Sequence, residues 1–169
     1  MVSVLCYKAA THAVSIIKIS EGMNQHKKIN DNYTSYEEKL GEGAFGVIYK
    51  GYSKRDKCIV AIKKLKPEGA TQWFTDPKFK LETEVLLKIK HPNVVRVYEA
   101  LEIGRDVYII MEFCDAGDLK KLMQRSKREN QEARRPEVPN QGPLSSVKIF
   151  DMFCQMVAGM AEVNRLSTV

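Results

Sequence analysis

The chain has 169 residues, 44% of them hydrophobic and 28% charged, with a formal net charge of +6, which is the balance of one globular domain and excludes a fibrous or disordered chain. The basic residues are spread out, with one local excess between Lys120 and Arg135; no nucleic-acid module accompanies them, so no nucleic-acid partner is expected. The four cysteines, Cys6, Cys58, Cys114 and Cys154, stand tens of residues apart with no CxxC pair and no histidine cluster nearby, which argues against a metal site or a disulfide framework and for reduced thiols in the cytoplasm.

No apolar run reaches the ~18 residues that a membrane span needs, so none is expected. Residues 1–32 form a separate compositional zone. Its first part carries Lys8, His12 and Lys18 but no acid and no arginine; a weak organelle-targeting signal is one reading, and an untargeted, poorly ordered extension is the one expected. From Tyr36 onward the pattern changes. Apolar runs rich in Val, Ile and Tyr cover Val47–Tyr52, Cys58–Leu65, Val94–Leu101 and Val107–Phe113, and they read as strands separated by turns. Gly104-Arg105-Asp106 looks like a hairpin turn, so the pairing is expected to be local and antiparallel.

One helix interrupts the strands, roughly Asp76–Ile89, with Asp76 as N-cap and Pro77 at the first helical position. His91-Pro92-Asn93 ends it, because the residue before a proline disfavours helix. A second helix is expected from about Asp118 to Lys127, then a polar surface insertion over 128–143. A third helix starts at Ser145 or Ser146 and runs to about Arg165. Its stripe of Ile149, Phe153, Met156, Met160 and Val163, widened by Phe150, Met152 and Val157, is more apolar than a solvated helix allows, so on its own this chain is expected to expose a sizeable apolar patch.

The first chemical signal is Leu40-Gly41-Glu42-Gly43-Ala44-Phe45-Gly46-Val47-Ile48. Its GxGxxG spacing also occurs in dinucleotide-binding folds, where the loop opens a helix and an acid follows about 20 residues on. Here strand-forming residues follow, and the residue 20 positions beyond Gly41 is Ala61. The loop therefore joins two strands as a flexible hairpin. Its glycines let backbone approach phosphates, and Phe45 at the tip can help to close it over a nucleotide. Val60-Ala61-Ile62-Lys63 follows. Alternation puts Ala61 and Lys63 on one face, a small residue leaving room for a flat base and an amine reaching phosphates.

A lysine in a cleft needs a counter-charge. Glu82, Val85, Leu86 and Ile89 share one helical face, so Glu82 is expected to turn inward and meet Lys63. Glu84 lies about 200° around the helix, beside Lys80 and Lys88, where a solvated ion pair is expected.

LGEGAFGVIYKG, VAIK, a helix with an inward glutamate and HPNVV together resemble the eukaryotic protein kinase family from about Tyr36 to the end of the chain. The resemblance implies an α+β fold. Its parts would be a small lobe over 33–111, with an antiparallel sheet of about five strands and one regulatory helix, a hinge over 112–117, and the first two helices of an incomplete large lobe over 118–169. It implies that Gly41, Gly43 and Gly46, with Glu42, Ala44, Phe45 and Val47 between and beside them, cover the phosphates of ATP. Leu40, Ile48 and Ala61 would contact adenine, and Lys63 would pair with the α- and β-phosphates and with Glu82. Met111 would be the gatekeeper, backbone groups of Glu112 and Cys114 would bond adenine, and Asp118 would sit near the ribose. The hinge sequence CDAGDL resembles Ser/Thr kinases of the Nek and Unc-51-like type.

The family's HRD-like catalytic loop should follow the third helix, with the DFG and APE segments beyond it. None of these motifs occurs in the 169 residues, so the catalytic aspartate and the Mg²⁺ ligands are absent. The expectation is the ATP-binding portion of a Ser/Thr kinase domain, inactive alone, whose protein substrate or regulatory partner is unknown. The alternative is a non-catalytic kinase-like interaction module acting through its apolar third helix.

Overall fold

The computed structural model describes residues 26–132 and 145–167, except for the side chains of Glu82 and residues 129–132. Expectations for residues 1–25 and 133–144 lie outside the described residues. The described chain divides into two units, one of residues 26–89 with 96–113, the other of residues 90–95 with 114–132 and 145–167.

The first unit is a six-stranded antiparallel sheet, in the spatial order β1-β2-β3-β4-β6-β5, with two helices. The strands are β1 (His26–Lys28), β2 (Tyr33–Glu42), β3 (Gly46–Ser53), β4 (Cys58–Leu65), β5 (Val97–Ile103) and β6 (Asp106–Glu112); the helices are α1 (Pro67–Thr75) and α2 (Pro77–Lys88). Hairpins join β1 to β4 in turn and β5 to β6, while the connection through α1 and α2 crosses over so that β6, not β5, lies beside β4; the β5–β6 turn uses Gly104 at φ +64°, a conformation that glycine adopts without strain.

Alternation along β6 sorts the core into two faces. Val107 and Ile109 join Leu65, Ala70, Trp73 and Val97 on one face, with Phe79, Leu86, Leu87 and Met111 packed against them. Tyr108 and Ile110 join Tyr33, Val60 and Ile62 on the other. The helices thus cover the face to which Ala61 and Lys63 belong.

The helix expected over Asp76–Ile89 is present as α2, and a further helix, α1, precedes it. Asp76 ends α1 by donating its N–H to the Gln72 carbonyl (2.8 Å), and it opens α2 by accepting from the Lys78 N–H (2.9 Å). The expected cap is therefore present, but α1 before it was not foreseen. Helix α2 buries Thr83 and packs Phe79, Leu86 and Leu87 on the core, while Glu84 is exposed as expected. Lys80 does not pair along the helix with Glu84. It reaches Glu102 on β5 (3.0 Å) and lies over the Trp73 ring (5.6 Å), because that carboxylate is already fixed by the Trp73 indole.

In the second unit, α3 (Leu119–Glu132) and α4 (Ser146–Ser167) follow. Helix α3 runs beyond the expected end at Lys127, since Arg128-Glu129-Asn130-Gln131-Glu132 contains no helix breaker. Helix α4 buries Met152 and Gly159. Gly159 lets it approach residues 90–95 closely: a Cβ there would lie 2.9 Å from the Asn93 carbonyl oxygen. The Asn93 side chain also donates to Gln155 Oε1 (3.2 Å). Met152 and Gly159 are the residues that α4 buries, while Ile149, Phe153 and Met160 belong to the apolar patch that was expected to be exposed. Those three, with Val147, Phe150 and Val157, are exposed. Among the described residues no helix is long and apolar enough to cross a membrane.

Candidate nucleotide site

The glycine loop is the β2–β3 hairpin. Gly41 and Glu42 end β2, Gly46 begins β3, and the Gly43 N–H donates to the Gly46 carbonyl (2.9 Å), leaving Ala44 and Phe45 as the tip. Leu40 falls where the β2–β3 register shifts between Lys39 and Gly41. The three glycines differ. A Cβ on Gly41 or Gly43 would meet nothing within 4 Å, whereas one on Gly46 would lie 2.5 Å from the Lys64 carbonyl oxygen. Gly46 is thus required by packing, while the other two keep backbone open to whatever approaches the loop.

Next to Gly46 runs the Lys63 side chain, whose Cε and Cγ would be 3.2 and 3.3 Å from that Cβ. In the ladder Lys63 stands opposite Ile48 on one side and Ile109 on the other; Ala61 stands opposite Lys50 and Met111. Lys63 is half-buried, and burial holds its ammonium below the ordinary lysine range. Among the described residues no carboxylate pairs with it. Its neighbour Lys64 points the other way and binds Asp106 (2.7 Å), which raises its pKa. The alternation expected of V-A-I-K is therefore realised, with one lysine paired and the other held in the sheet without a described counter-ion. Glu82 belongs to α2, and its side chain lies outside the described residues.

Met111 packs at the edge of the helix-covered core. Glu112 donates its N–H to the Arg96 carbonyl (2.8 Å) and accepts from the Arg96 N–H through Oε2 (3.3 Å). Cys114 and Asp118 lie in the second unit. Asp118 Oδ1 accepts from the Lys121 N–H (2.7 Å), capping α3. Cys114 is disulfide-bonded, unlike Cys58 and Cys154, which are free; this corrects the expectation of reduced thiols throughout. No group of three or more His, Cys, Asp or Glu among the described residues is placed to hold a metal.

Sequence reasoning missed the residues that seat the loop tip. The Lys66 N–H donates to the Phe45 carbonyl (3.0 Å), Lys66 Nζ pairs with Glu42 Oε1 (2.7 Å), and the Phe45 ring leans on Phe79 (centroids 6.4 Å apart). Pro67 at the first position of α1 was the one local signal that something begins there.

A curled antiparallel sheet with a glycine hairpin, a lysine on the adjoining strand and a helix laid across that face defines the small lobe of a protein kinase. Residues 34–161 match the family model described as protein kinase domain, and the chain belongs to that family. It is similar to the Serine/threonine-protein kinase ATG1 of Kluyveromyces lactis, 36% identical over 97 residues, which cover 57% of this chain and 12% of that protein. For the same-named protein of Kluyveromyces marxianus the identity is 37% over 89 residues, 53% of this chain and 10% of the relative. The Saccharomyces cerevisiae protein is 36% identical over 97 residues, 57% of this chain and 11% of the relative. The matched stretch thus spans about a tenth of these relatives.

Proposed function

We propose that this chain is the ATP-holding portion of a Ser/Thr-directed protein kinase domain. The observation that carries the reading is the Lys63 side chain lying along Gly46, half-buried on the strand beside the glycine hairpin. An ammonium in that position costs stability unless an anion completes it, and nucleotide phosphates supply one. The open space around Gly41 and Gly43 fits backbone N–H groups approaching phosphate oxygens. Leu40, Ile48 and Ala61 would hold adenine, with Met111 as gatekeeper and the backbone of Glu112 and Cys114 as the polar edge. Asp118 would approach the ribose, and Glu82 would hold the lysine in line. In an intact kinase domain ATP would supply the phosphoryl group, and its Mg²⁺ would neutralise developing charge. The similarity to Ser/Thr kinases supports a hydroxyl-bearing protein substrate. As a purified 169-residue polypeptide the chain is expected to bind nucleotide without transferring phosphate, because no HRD or DFG motif occurs in it.

Titration with a fluorescent ATP analogue tests this reading. Saturable binding by the wild type that is lost in Lys63→Met is expected; equal signals from the two proteins reject the role given to Lys63. A second reading, a kinase-like interaction module without catalysis, is favoured by the exposed Phe150, Phe153 and Met160 on α4. Read-through of the transcript into HRD and DFG codons would favour the enzyme, and an authentic stop codon after Val169 the module.

A further inference from the structure

The tip of the glycine hairpin is not free at its far side. Three contacts converge on the hairpin, two from Lys66 just before α1 and one from α2. The Phe45 carbonyl accepts the Lys66 N–H at 3.0 Å, the last donor before α1 begins. The Lys66 amine reaches forward to Glu42 Oε1 at 2.7 Å, and this contact draws the Glu42 carboxyl below its ordinary range. The Phe45 ring rests on Phe79 of α2 with centroids 6.4 Å apart, and Phe79 in turn meets Trp73 of α1 edge-on at 6.5 Å. The seat is also shaped by an absence. Gly69, buried in the first turn of α1, has no side chain, and a Cβ there would stand 2.9 Å from the same Phe45 carbonyl oxygen. That oxygen is backbone, so a Cβ could be admitted only if the hairpin tip or the helix moved. A glycine near the start of a nine-residue helix is a poor helix former; its use here is accounted for by the close approach of the loop.

We propose that Lys66, Gly69 and Phe79 are positioning residues that pre-organise the glycine loop for nucleotide, by seating the Ala44–Phe45 tip against α1 and α2. The inference rests on the reading that this loop covers the phosphates. A loop already held near its working position loses less freedom when the nucleotide arrives, and it opens less often to let the nucleotide go. Unseating the tip therefore speeds dissociation and weakens affinity through the loop, not through direct contact of these residues with nucleotide. Phe79 lies on the helix that carries Glu82, so the seat also ties the lid to the helix expected to steady Lys63.

Gly69→Ala separates this role from a structural one. Alanine is the better helix former, but its Cβ would meet the Phe45 carbonyl oxygen at 2.9 Å, so the displacement falls on the loop tip; a merely structural residue would lower thermal stability without changing nucleotide dissociation. Dissociation of a fluorescent ATP analogue, followed by stopped flow on the full chain, should be faster by about three- to tenfold in Gly69→Ala. Lys66→Ala should show a smaller increase, as befits one part-exposed ion pair. Lys39→Ala should stay within about twofold, since that lysine stands 3.6 Å from Glu42 outside the seat. The double exchange Glu42→Lys with Lys66→Glu should bring the rate back towards wild type. A nucleotide-free readout is the hydrogen exchange of the Lys66 amide, whose acceptor is the Phe45 carbonyl. It should exchange faster in Gly69→Ala than in wild type. Unchanged dissociation in Gly69→Ala, while Lys63→Met still abolishes binding, overturns the seat and leaves the nucleotide reading standing. If the wild type binds no nucleotide, that reading falls, and unchanged exchange at the Lys66 amide then removes the seat as well.

Discussion

The Trp73 indole N–H, on α1, donates to Glu102 Oε1, on β5, at 2.7 Å, and Lys80 of α2 reaches the same oxygen at 3.0 Å. One carboxylate thus ties both helices to the sheet. Trp73→Phe removes the donor and shrinks a buried ring, and it should cost about 1–3 kcal/mol in urea unfolding. The two donors lower the Glu102 pKa from its ordinary 4.5. A carboxylate with a depressed folded-state pKa contributes stability above its unfolded value and loses it as pH falls through the folded one. The difference between wild type and Glu102→Gln should therefore be full above pH 4.5 and close below it.

Lys63 presents the opposite sign. Burial lowers its pKa from the ordinary 10.5, so the charged amine opposes folding at neutral pH, and the penalty lifts as pH climbs from the folded value towards the unfolded one. Lys63→Met should remove that penalty, a small gain because the amine still reaches solvent, while abolishing nucleotide binding. The gain should fade as unfolding is measured at increasingly alkaline pH. A variant less stable than wild type at neutral pH would contradict this account.

The loop glycines should divide by mechanism. Gly46→Ala forces a Cβ to 2.5 Å from the Lys64 carbonyl oxygen and should lower stability by about 1–3 kcal/mol. Gly41→Ala and Gly43→Ala meet nothing within 4 Å; they should leave the melting temperature nearly unchanged and weaken nucleotide binding instead. Melting curves with and without ATP analogue distinguish the two classes.

The strands and the lysine face were legible because alternation is a strong signal. Val60 and Ile62 enter one core cluster while Leu65 enters the other, as period two requires. Strand β1 was not legible, since His26-Lys27-Lys28 is polar and exposed throughout; backbone pairing with residues 34–36, with the His26 ring edge-on to Tyr36 at 5.0 Å, places it in the sheet. Helix α1 was hidden for a different reason. It contains Gly69, and Lys66 before it makes no side-chain cap, so neither propensity nor a start signal marks it apart from Pro67. The seat of the loop tip depends on that helix and was hidden with it. On α4 the excess of apolar residues was readable but the buried stripe was not, because Gly159 carries no hydrophobic signal of its own.

The exposed residues of α4 lead to a solution property. Val147, at 79% exposure, and Phe150, at 68%, lie one turn apart with Phe153 following, a patch able to bind a hydrophobic dye. The purified chain should enhance the fluorescence of such a dye or self-associate, and Phe150→Lys with Phe153→Lys should abolish both effects without altering nucleotide affinity. A monomer that leaves the dye dark would refute the patch.

Asp76 closes one helix with its amide and starts the next with its carboxylate. The joint between α1 and α2 therefore has no spare link, and a bend of this kind transmits a push instead of absorbing it. A tilt of α2 must carry α1 along, and with it the floor on which the hairpin tip rests. A single glycine inserted after Asp76 would introduce backlash at this joint. It should raise amide exchange in α1 and at Lys66 together, whereas a freely hinged pair would register the insertion at the joint alone.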